Sequence, residues 1–231
     1  LWPFGAQRGE PLKANERMMH DAQAFVDPSR LFGGKLSIPY NPSVLVTRKG
    51  LNVFDQMKVD EQVKAALLFK KHAALAAGWE VVSPGEEEQD WEPTRFVRDV
   101  LGKVEGGWHQ ALLSLLTALD YGFSCCERIY VEEEKGEWKG KLVLTRLTSL
   151  QPKYIDFVAD PYGVLLGVRQ QGASGAAADL PPGKVVYYSY KREFENHYGT
   201  SDLEAAYRPW WVKDNAYKWL ATVLERYGMP P

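Results

Sequence analysis

The sequence contains only two cysteines and four histidines in 231 residues, and it has no long hydrophobic run. The cysteines, Cys125 and Cys126, are adjacent, and neighbouring residues on a strand point to opposite faces, so a disulfide between them would be strained. Without a disulfide framework, the chain is expected to be intracellular or assembled inside a cell. The longest apolar runs, such as Ala73–Trp79, are far shorter than the ~20 residues of a membrane-spanning helix.

The sequence also lacks the spacing that metal sites and catalytic sites need. No two histidines lie four residues apart, and there is no Cys-x-x-Cys pair, so no metal or cofactor is predicted. The segment Gly172–Gly175 lacks the Lys-Ser/Thr of a phosphate-binding loop, and Ser124 does not lie in a Gly-x-Ser-x-Gly elbow. We therefore predict no catalytic residue and no enzyme. The alternative left open is an intracellular hydrolase that uses Cys125 or Ser124, with His109 as a conceivable base.

The sequence also has no large excess of positive or negative charge. The 28 basic and 30 acidic residues give a net charge of -2, which provides no strong general attraction to nucleic acid or to an anionic membrane. The start of the sequence has neither a methionine nor the blocks of a signal peptide, and Met229–Pro231 follow a predicted helix abruptly. We expect a piece of a longer protein. What the chain does have is aromatic surface, with 8 Trp, 12 Tyr and 9 Phe, residues that are enriched at protein interfaces.

Helical periodicity comes first along the chain and strand periodicity follows it. Residues 1–43 are rich in Pro and Gly and predict an extended arm. Residues 44–200 predict an α+β domain, and residues 201–231 predict the start of a long helix. Helices are expected from the Asp60 cap to Gly78, over Phe96–Val104 and over Trp108–Leu119. A short strand is expected at Trp79–Val82, and an acidic loop at Glu86–Glu92. Loop residues are also expected at Gly172–Ala178. The later strands are expected at Ile129–Val131, Leu142–Leu144, Tyr154–Val158, Val164–Val168 and Val185–Tyr188.

The C-terminal segment predicts a short helix capped by Ser201 or Asp202, followed by a second helix with Pro209 in its first turn. Over Trp210–Tyr227 this second helix would span roughly 27 Å. Its apolar stripe consists of Val212, Ala216, Leu220, Val223 and Tyr227. From Arg208 onward there are four basic and two acidic residues. This face could contact DNA non-specifically, or it could be an ordinary solvated face.

Four stretches of the sequence resemble bacteriophage portal proteins, particularly the Mu-like branch. They are Ala76–Val81, Ala118–Ser124 followed by Glu127, Gln151–Phe157 and, most specifically, Tyr198–Trp211, with a helix after it that ends in Glu225–Pro230. The resemblance covers residues 44–231. It implies a portal-like α+β fold in which residues 44–200 form the helical and mixed β-sheet wing and Trp210–Tyr227 begins the stem. The clip, the second stem helix and the crown would lie beyond Pro231.

The resemblance also implies a function. Portal proteins form rings of about twelve identical subunits at one capsid vertex, through which DNA is packaged and later ejected. The implied partners are further copies of the chain, terminase, capsid and scaffold proteins, a head-tail adaptor and double-stranded DNA; the implied location is the portal vertex of the virion, after assembly in the bacterial cytoplasm. Portals are not enzymes and need no cofactor. The candidate intersubunit residues are Trp210, Trp211, Val212, Ala216, Leu220 and Val223, and the candidate channel or DNA-facing residues are Lys213, Lys218 and Arg226. A monomeric, non-specific DNA-binding module remains the other alternative.

Overall fold

The computed structural model of the chain describes residues 41–83, 85, 88–160, 163–172, 177–194 and 196–228. The predicted arm of residues 1–43 therefore lies outside the described part except for its last three residues. In chain order the helices are α1 (Val44–Lys49), α2 (Asn52–Met57), α3 (Glu61–Ala76), α4 (Glu88–Gly102), α5 (Trp108–Leu115), α6 (Ala118–Tyr121) and α7 (Asp202–Tyr227). The strands are β1 (Phe123–Glu132), β2 (Leu142–Leu150), β3 (Ile155–Ala159), β4 (Leu165–Gln171), β5 (Ala177–Leu180) and β6 (Val185–Ser189).

The strands form two small antiparallel sheets, with strand orders β2-β1-β6 and β3-β4-β5. Helices precede the sheets, and the long helix α7 follows them. The predicted α+β class with a long C-terminal helix is therefore confirmed. None of the helices in the described part of the chain combines the length and apolar composition that a membrane span requires.

Two hydrophobic clusters hold these elements together. The first lies between the sheets, where the rings of Phe123, Phe157 and Tyr198 meet edge to face at centroid distances of 4.9–5.3 Å. In the second, side chains of α2, α3 and α6 surround Leu203 in the first turn of α7. The first cluster fixes the segment that leads into α7, and the second fixes the beginning of the helix itself.

Two glycines let the segment before α7 approach the first sheet closely. Gly122 has a φ of 88°, and a Cβ there would lie 2.4 Å from the carbonyl oxygen of Gly199. A Cβ on Gly199 would lie 2.0 Å from the carbonyl oxygen of Tyr190. Both distances are shorter than any real side chain allows, so these positions require glycine. The backbone of Tyr190 bridges the two segments, because it donates to Gly122 and accepts from Thr200, both at 2.8 Å.

Several predicted helix ends are confirmed. The carboxylate of Asp60 accepts hydrogen bonds from the backbone N–H groups of Gln62 and Val63 at 3.0 and 3.2 Å, and so caps α3. The hydroxyl of Ser201 accepts from Leu203 N–H at 3.0 Å and caps α7. Both are the short polar side chains that satisfy the first free N–H groups of a helix.

Several other predictions of secondary structure are wrong. Trp79–Val82 is not a strand, because the carbonyl of Val81 accepts from the Arg98 guanidinium at 3.0 Å instead of from a neighbouring strand. Glu88–Glu92 belongs to α4 rather than to a loop, while Glu86 and Glu87 lie outside the described residues. The predicted helix Trp108–Leu119 is two helices, α5 and α6. Helices α1 and α2 and strand β5 were not expected, and β1 and β2 are longer than predicted.

Candidate functional site: the C-terminal helix

Helix α7 is one continuous helix of 26 residues, Asp202–Tyr227, and is therefore about 39 Å long. The predicted break before Trp210 is wrong, since Pro209 lies inside the helix as its eighth residue. Proline has no N–H, so the helical hydrogen bond to the carbonyl of Ala205 is missing. Both residues are exposed, so water can reach this carbonyl and the proline is tolerated.

Ion pairs fasten the first turn of α7 to the body. Lys191 Nζ donates to Asp202 Oδ1 at 2.7 Å, and Lys70 on α3 pairs with the other oxygen of the same carboxylate. Burial by itself would raise the pKa of Asp202, but the hydrogen bonds from Lys191 and Lys70 outweigh it and lower that pKa. Glu204 accepts a further hydrogen bond from the hydroxyl of Ser43 at 2.9 Å. The beginning of α7 is therefore held by side chains from three separate segments.

A buried ion pair of Asp120 also stabilises the attachment of the first turn of α7 to the body. Asp120 on α6 is 1% exposed, and its carboxylate lies 2.8 Å from Lys71 Nζ of α3 and 3.3 Å from Lys58 Nζ. The backbone carbonyl of Asp120 also accepts from the Ser201 hydroxyl, the N-cap of α7, at 2.6 Å. One residue thus connects α3, α6 and the start of α7.

Lys213 fastens α7 to the body a second time, three turns after Asp202. Its Nζ lies 2.7 Å from Asp60 Oδ2 and 2.9 Å from Glu61 Oε1, at the start of α3. Hydrogen bonding to Asp60 and then to Glu61 raises the pKa of Lys213, and the bond to Lys213 is the largest cause that lowers the pKa of Asp60. The charge of Lys213 is therefore engaged within the subunit. Whether this residue also faces a channel stays a prediction.

Beyond this second attachment, nothing in the described part of the chain covers α7. Every residue from Ala216 to Gly228 is exposed. The exposed fraction is 62% for Trp219, 54% for Leu220 and 50% for Val223. Large apolar side chains that are exposed together mark an interaction surface more often than a solvated one. The distal half of α7, Ala216–Tyr227, is therefore the candidate functional site.

The predicted interface residues fall into two groups in the structure. Trp210 is half-buried against the second hydrophobic cluster of its own subunit. Trp211, Val212, Ala216, Leu220 and Val223 are exposed and remain candidates for contacts with another molecule. The sequence analysis missed Tyr217, Trp219 and Leu224, which are 59–62% exposed. Their spacing of three and four residues from the predicted stripe was the signal that could have found them.

Two of the three predicted DNA-facing residues, Lys213 and Lys218, already form ion pairs within the subunit. Lys218 Nζ lies 2.5 Å from Asp214 Oδ2, one turn earlier on the same helix, and Arg226 is exposed. The helix begins at Asp202, so it includes two further acidic residues and has four acidic and four basic side chains in all. The isolated helix is therefore electrically neutral, which argues against a monomeric module that binds DNA through a basic helix.

The candidate nucleophiles of the hydrolase alternative are buried, which argues against that alternative. Cys125 and Cys126 are both free and 0% exposed, and burial raises the pKa of Cys125 to about 12. Ser124 is 1% exposed and its hydroxyl donates to the carbonyl of Leu115 at 2.6 Å, whereas His109 lies exposed on α5. Across the described ranges, no group of three or more His, Cys, Asp or Glu side chains could hold a metal ion.

A family model described as the portal protein of Mu bacteriophage matches residues 51–231. The chain belongs to this portal protein family. The resemblance noted in the sequence is thereby confirmed, and α7 lies wholly inside the matched region. A search of the curated proteins found no match.

Solved structures support the portal fold. The chain resembles a protein in the virion of a native gene transfer agent particle, with a TM-score of 0.59 and 17% identity over 87% of this chain. It also resembles a protein in the neck of an empty gene transfer agent particle, with a TM-score of 0.57 and 18% identity over 85% of this chain. This chain therefore spans about half the length of each of these two solved chains, 50% in both cases.

Proposed function

We propose that this chain is one subunit of a ring-shaped homo-oligomer of about twelve copies, as its family implies, whose central channel passes double-stranded DNA during packaging and ejection. The observation that carries the proposal is the distal half of α7. It carries large exposed apolar side chains on a helix whose acidic and basic residues balance over its whole length, in a chain that belongs to a portal family. Such a surface needs a protein partner, and a ring supplies the same partner to every subunit.

The division of the chain follows from the same proposal. Residues 44–200, with the two small sheets, act as the wing, and the helix that begins at Asp202 acts as the first stem helix. The ion pairs of Asp202 and Lys213 hold this helix at a fixed position on the wing. A fixed position is what a ring requires, because every subunit must present its helix at the same angle.

The proposed location is the portal vertex of a virion, reached after assembly in the cytoplasm of the bacterial host. The partners there would be capsid and scaffold proteins, terminase during packaging and a head-tail adaptor afterwards. The gene transfer agent structures come from a virion and a particle neck, which supports this location. The chain would act without a cofactor and without catalysing a reaction.

DNA would meet the channel without sequence-specific contacts, since it must slide. Lys218 and Arg226, and Lys213 if its ion pairs open, are the candidates for weak phosphate contacts of this kind. Because Lys218 already pairs with Asp214, its loss should alter packaging only modestly.

A packaging experiment tests the function. Heads assembled in cells that lack this protein should contain no DNA, and the wild-type protein should restore DNA-filled heads, counted by electron microscopy. The Lys218→Ala variant should restore nearly as many. Filled heads in the absence of the protein would contradict the proposal.

A further inference from the structure

The part of the chain that the structure describes leaves a broad uncharged face of α3 exposed. Phe69 is 76% exposed and Leu68 is 42% exposed. At 3.6 residues per turn, the members of this face occupy roughly half of the helix circumference. They are Ala65, Ala66, Leu68, Phe69, His72, Ala73 and Ala76, all of them exposed, and are called the α3 face below. A connected apolar surface of this kind marks an interaction site more often than a solvated one.

The α3 face lies at the end of the subunit where α7 begins. Helices α3 and α7 run side by side in opposite directions, because Asp60 at the start of α3 pairs with Lys213, and Lys70 pairs with Asp202. The last turns of α3 therefore extend past the beginning of α7. Residues that follow α7 start beyond Tyr227, about 38 Å away from Asp202 along the helix. They leave the subunit at the opposite end from the α3 face.

The N-terminal segment, by contrast, enters the described structure beside this face. The hydroxyl of Ser43 donates to Glu204 at 2.9 Å, and Ser43 N–H donates to Asn41 Oδ1 at 3.0 Å. The chain before Asn41 thus starts next to the same first turn of α7 that binds Lys70. Ten residues can span up to about 33 Å, whereas the α3 face is about 17 Å long. Residues 31–40 are therefore long enough to run along the whole face.

The composition of residues 31–40 matches the α3 face. The segment has one charged residue, Lys35, and five large apolar ones, which are Leu31, Phe32, Leu36, Ile38 and Tyr40. The last three alternate with other residues, so in the extended arm predicted from the sequence they point to one side. The alanines of the α3 face leave a shallow surface beside Phe69 that side chains of this size can fill. Burial of two uncharged surfaces against each other is favourable and leaves no charge without water.

We infer that residues 31–40 pack along the α3 face of their own subunit. The entry point beside the face, the length of the segment and its apolar composition all support this occupant. The residues after α7 start from the far end of that helix and are a poorer fit. The inference concerns a single subunit and does not rest on the proposed ring.

Trypsin measures whether the segment is held in this way. Cleavage after Lys35 requires the segment to leave the α3 face, so its rate follows the population in which the segment is free. In the full chain, Phe69→Asp should therefore speed this cleavage at least about tenfold, whereas cleavage after Lys13, outside the segment, should not change. Lys64→Asp alters an exposed position on another side of α3 and is the matched control, which should change neither rate. Mass spectrometry follows each bond, and circular dichroism should show unchanged folding because both substituted sites are exposed.

Cysteine cross-linking tests the contact itself. An Ile38→Cys/Ala73→Cys double variant, treated with a short bismaleimide, should give a cross-link within one chain, identified by mass spectrometry of the joined peptides. An Ile38→Cys/Lys64→Cys double variant should give none, because Lys64 lies on another side of the helix. The native Cys125 and Cys126 are 0% exposed and do not interfere.

The outcomes separate this inference from the proposed function. Cross-links that join two chains would show that the segment of another copy covers the face, and would overturn the inference. An unchanged cleavage rate after Lys35 in the Phe69→Asp protein would overturn it too, and loss of the ring in that variant would then assign the face to a second copy. If the wild-type protein forms no ring but shows the expected cleavage and cross-link, the proposed function fails and this inference stands.

Discussion

Replacing Leu220 by Asp places a charge in the middle of the exposed apolar surface of α7. Leu220 is 54% exposed in the subunit, so about half of its side chain remains for a neighbour to bury. Full burial of a leucine contributes about 1.5–3 kcal/mol, and the half that remains contributes roughly 1 kcal/mol by the same scale. Desolvating an unpaired carboxylate costs several kcal/mol more. Each contact should therefore weaken by at least about 3 kcal/mol, which is roughly 100-fold in its dissociation constant.

Light scattering coupled to size exclusion measures the result directly. The Leu220→Asp protein should elute as a monomer at concentrations at which the wild-type protein is a ring. Thr222→Asp introduces the same charge on the polar side of the same helix, where Thr222 is exposed and its hydroxyl donates to Lys218 O, and it should leave the ring intact. Neither variant should shift the unfolding temperature of the monomer appreciably, since both sites are exposed. A ring that survives Leu220→Asp, or that Thr222→Asp disrupts equally, would refute the assignment of faces.

Three further predictions concern the subunit itself. Asp120→Ala leaves buried lysine charge unpaired and should cost about 3–5 kcal/mol, which lowers the unfolding temperature by roughly 6–20 °C for a chain of this size; a shift within experimental error would show that the buried pair is unimportant. Because burial raises the pKa of Cys125 to about 12, iodoacetamide at pH 8 should modify neither Cys125 nor Cys126 until denaturant is added, and mass spectrometry of the folded protein that shows labelling would contradict this. The pKa values of Asp60 and Asp202 are lowered in the folded chain, so their stabilising ion pairs are complete above about pH 4 and are lost as the pH falls through the folded values; unfolding temperatures that rise below pH 4 would have the wrong sign.

Local signals in the sequence were sufficient for the helix ends and for the apolar stripe of α7. Asp60 and Ser201 could be predicted as helix caps because capping depends on a local contact: a short polar side chain accepts a hydrogen bond from a free N–H group two or three residues later. The apolar stripe of α7 could also be read locally, because its period needs no knowledge of distant residues, but its role in contacts between subunits stays a prediction.

The wrong predictions arose where distant contacts decide the structure. Strand β5 is rich in alanine and forms because it pairs with β4, with Leu180 opposite Val168. Pro209 was placed at the start of a helix by its usual preference, although α7 is already fixed two turns earlier by ion pairs to Asp202. Lys213 meets Glu61 across 152 residues of sequence, a pairing that no local pattern reveals.

The most direct test of the central claim is electron microscopy of the purified wild-type protein, with the particle mass measured on the same sample. The claim is that the distal half of α7 joins copies of this chain into a closed ring. It predicts ring-shaped particles of uniform mass with an open centre wide enough for double-stranded DNA. Particles with the mass of a single chain at every protein concentration and salt condition would contradict it.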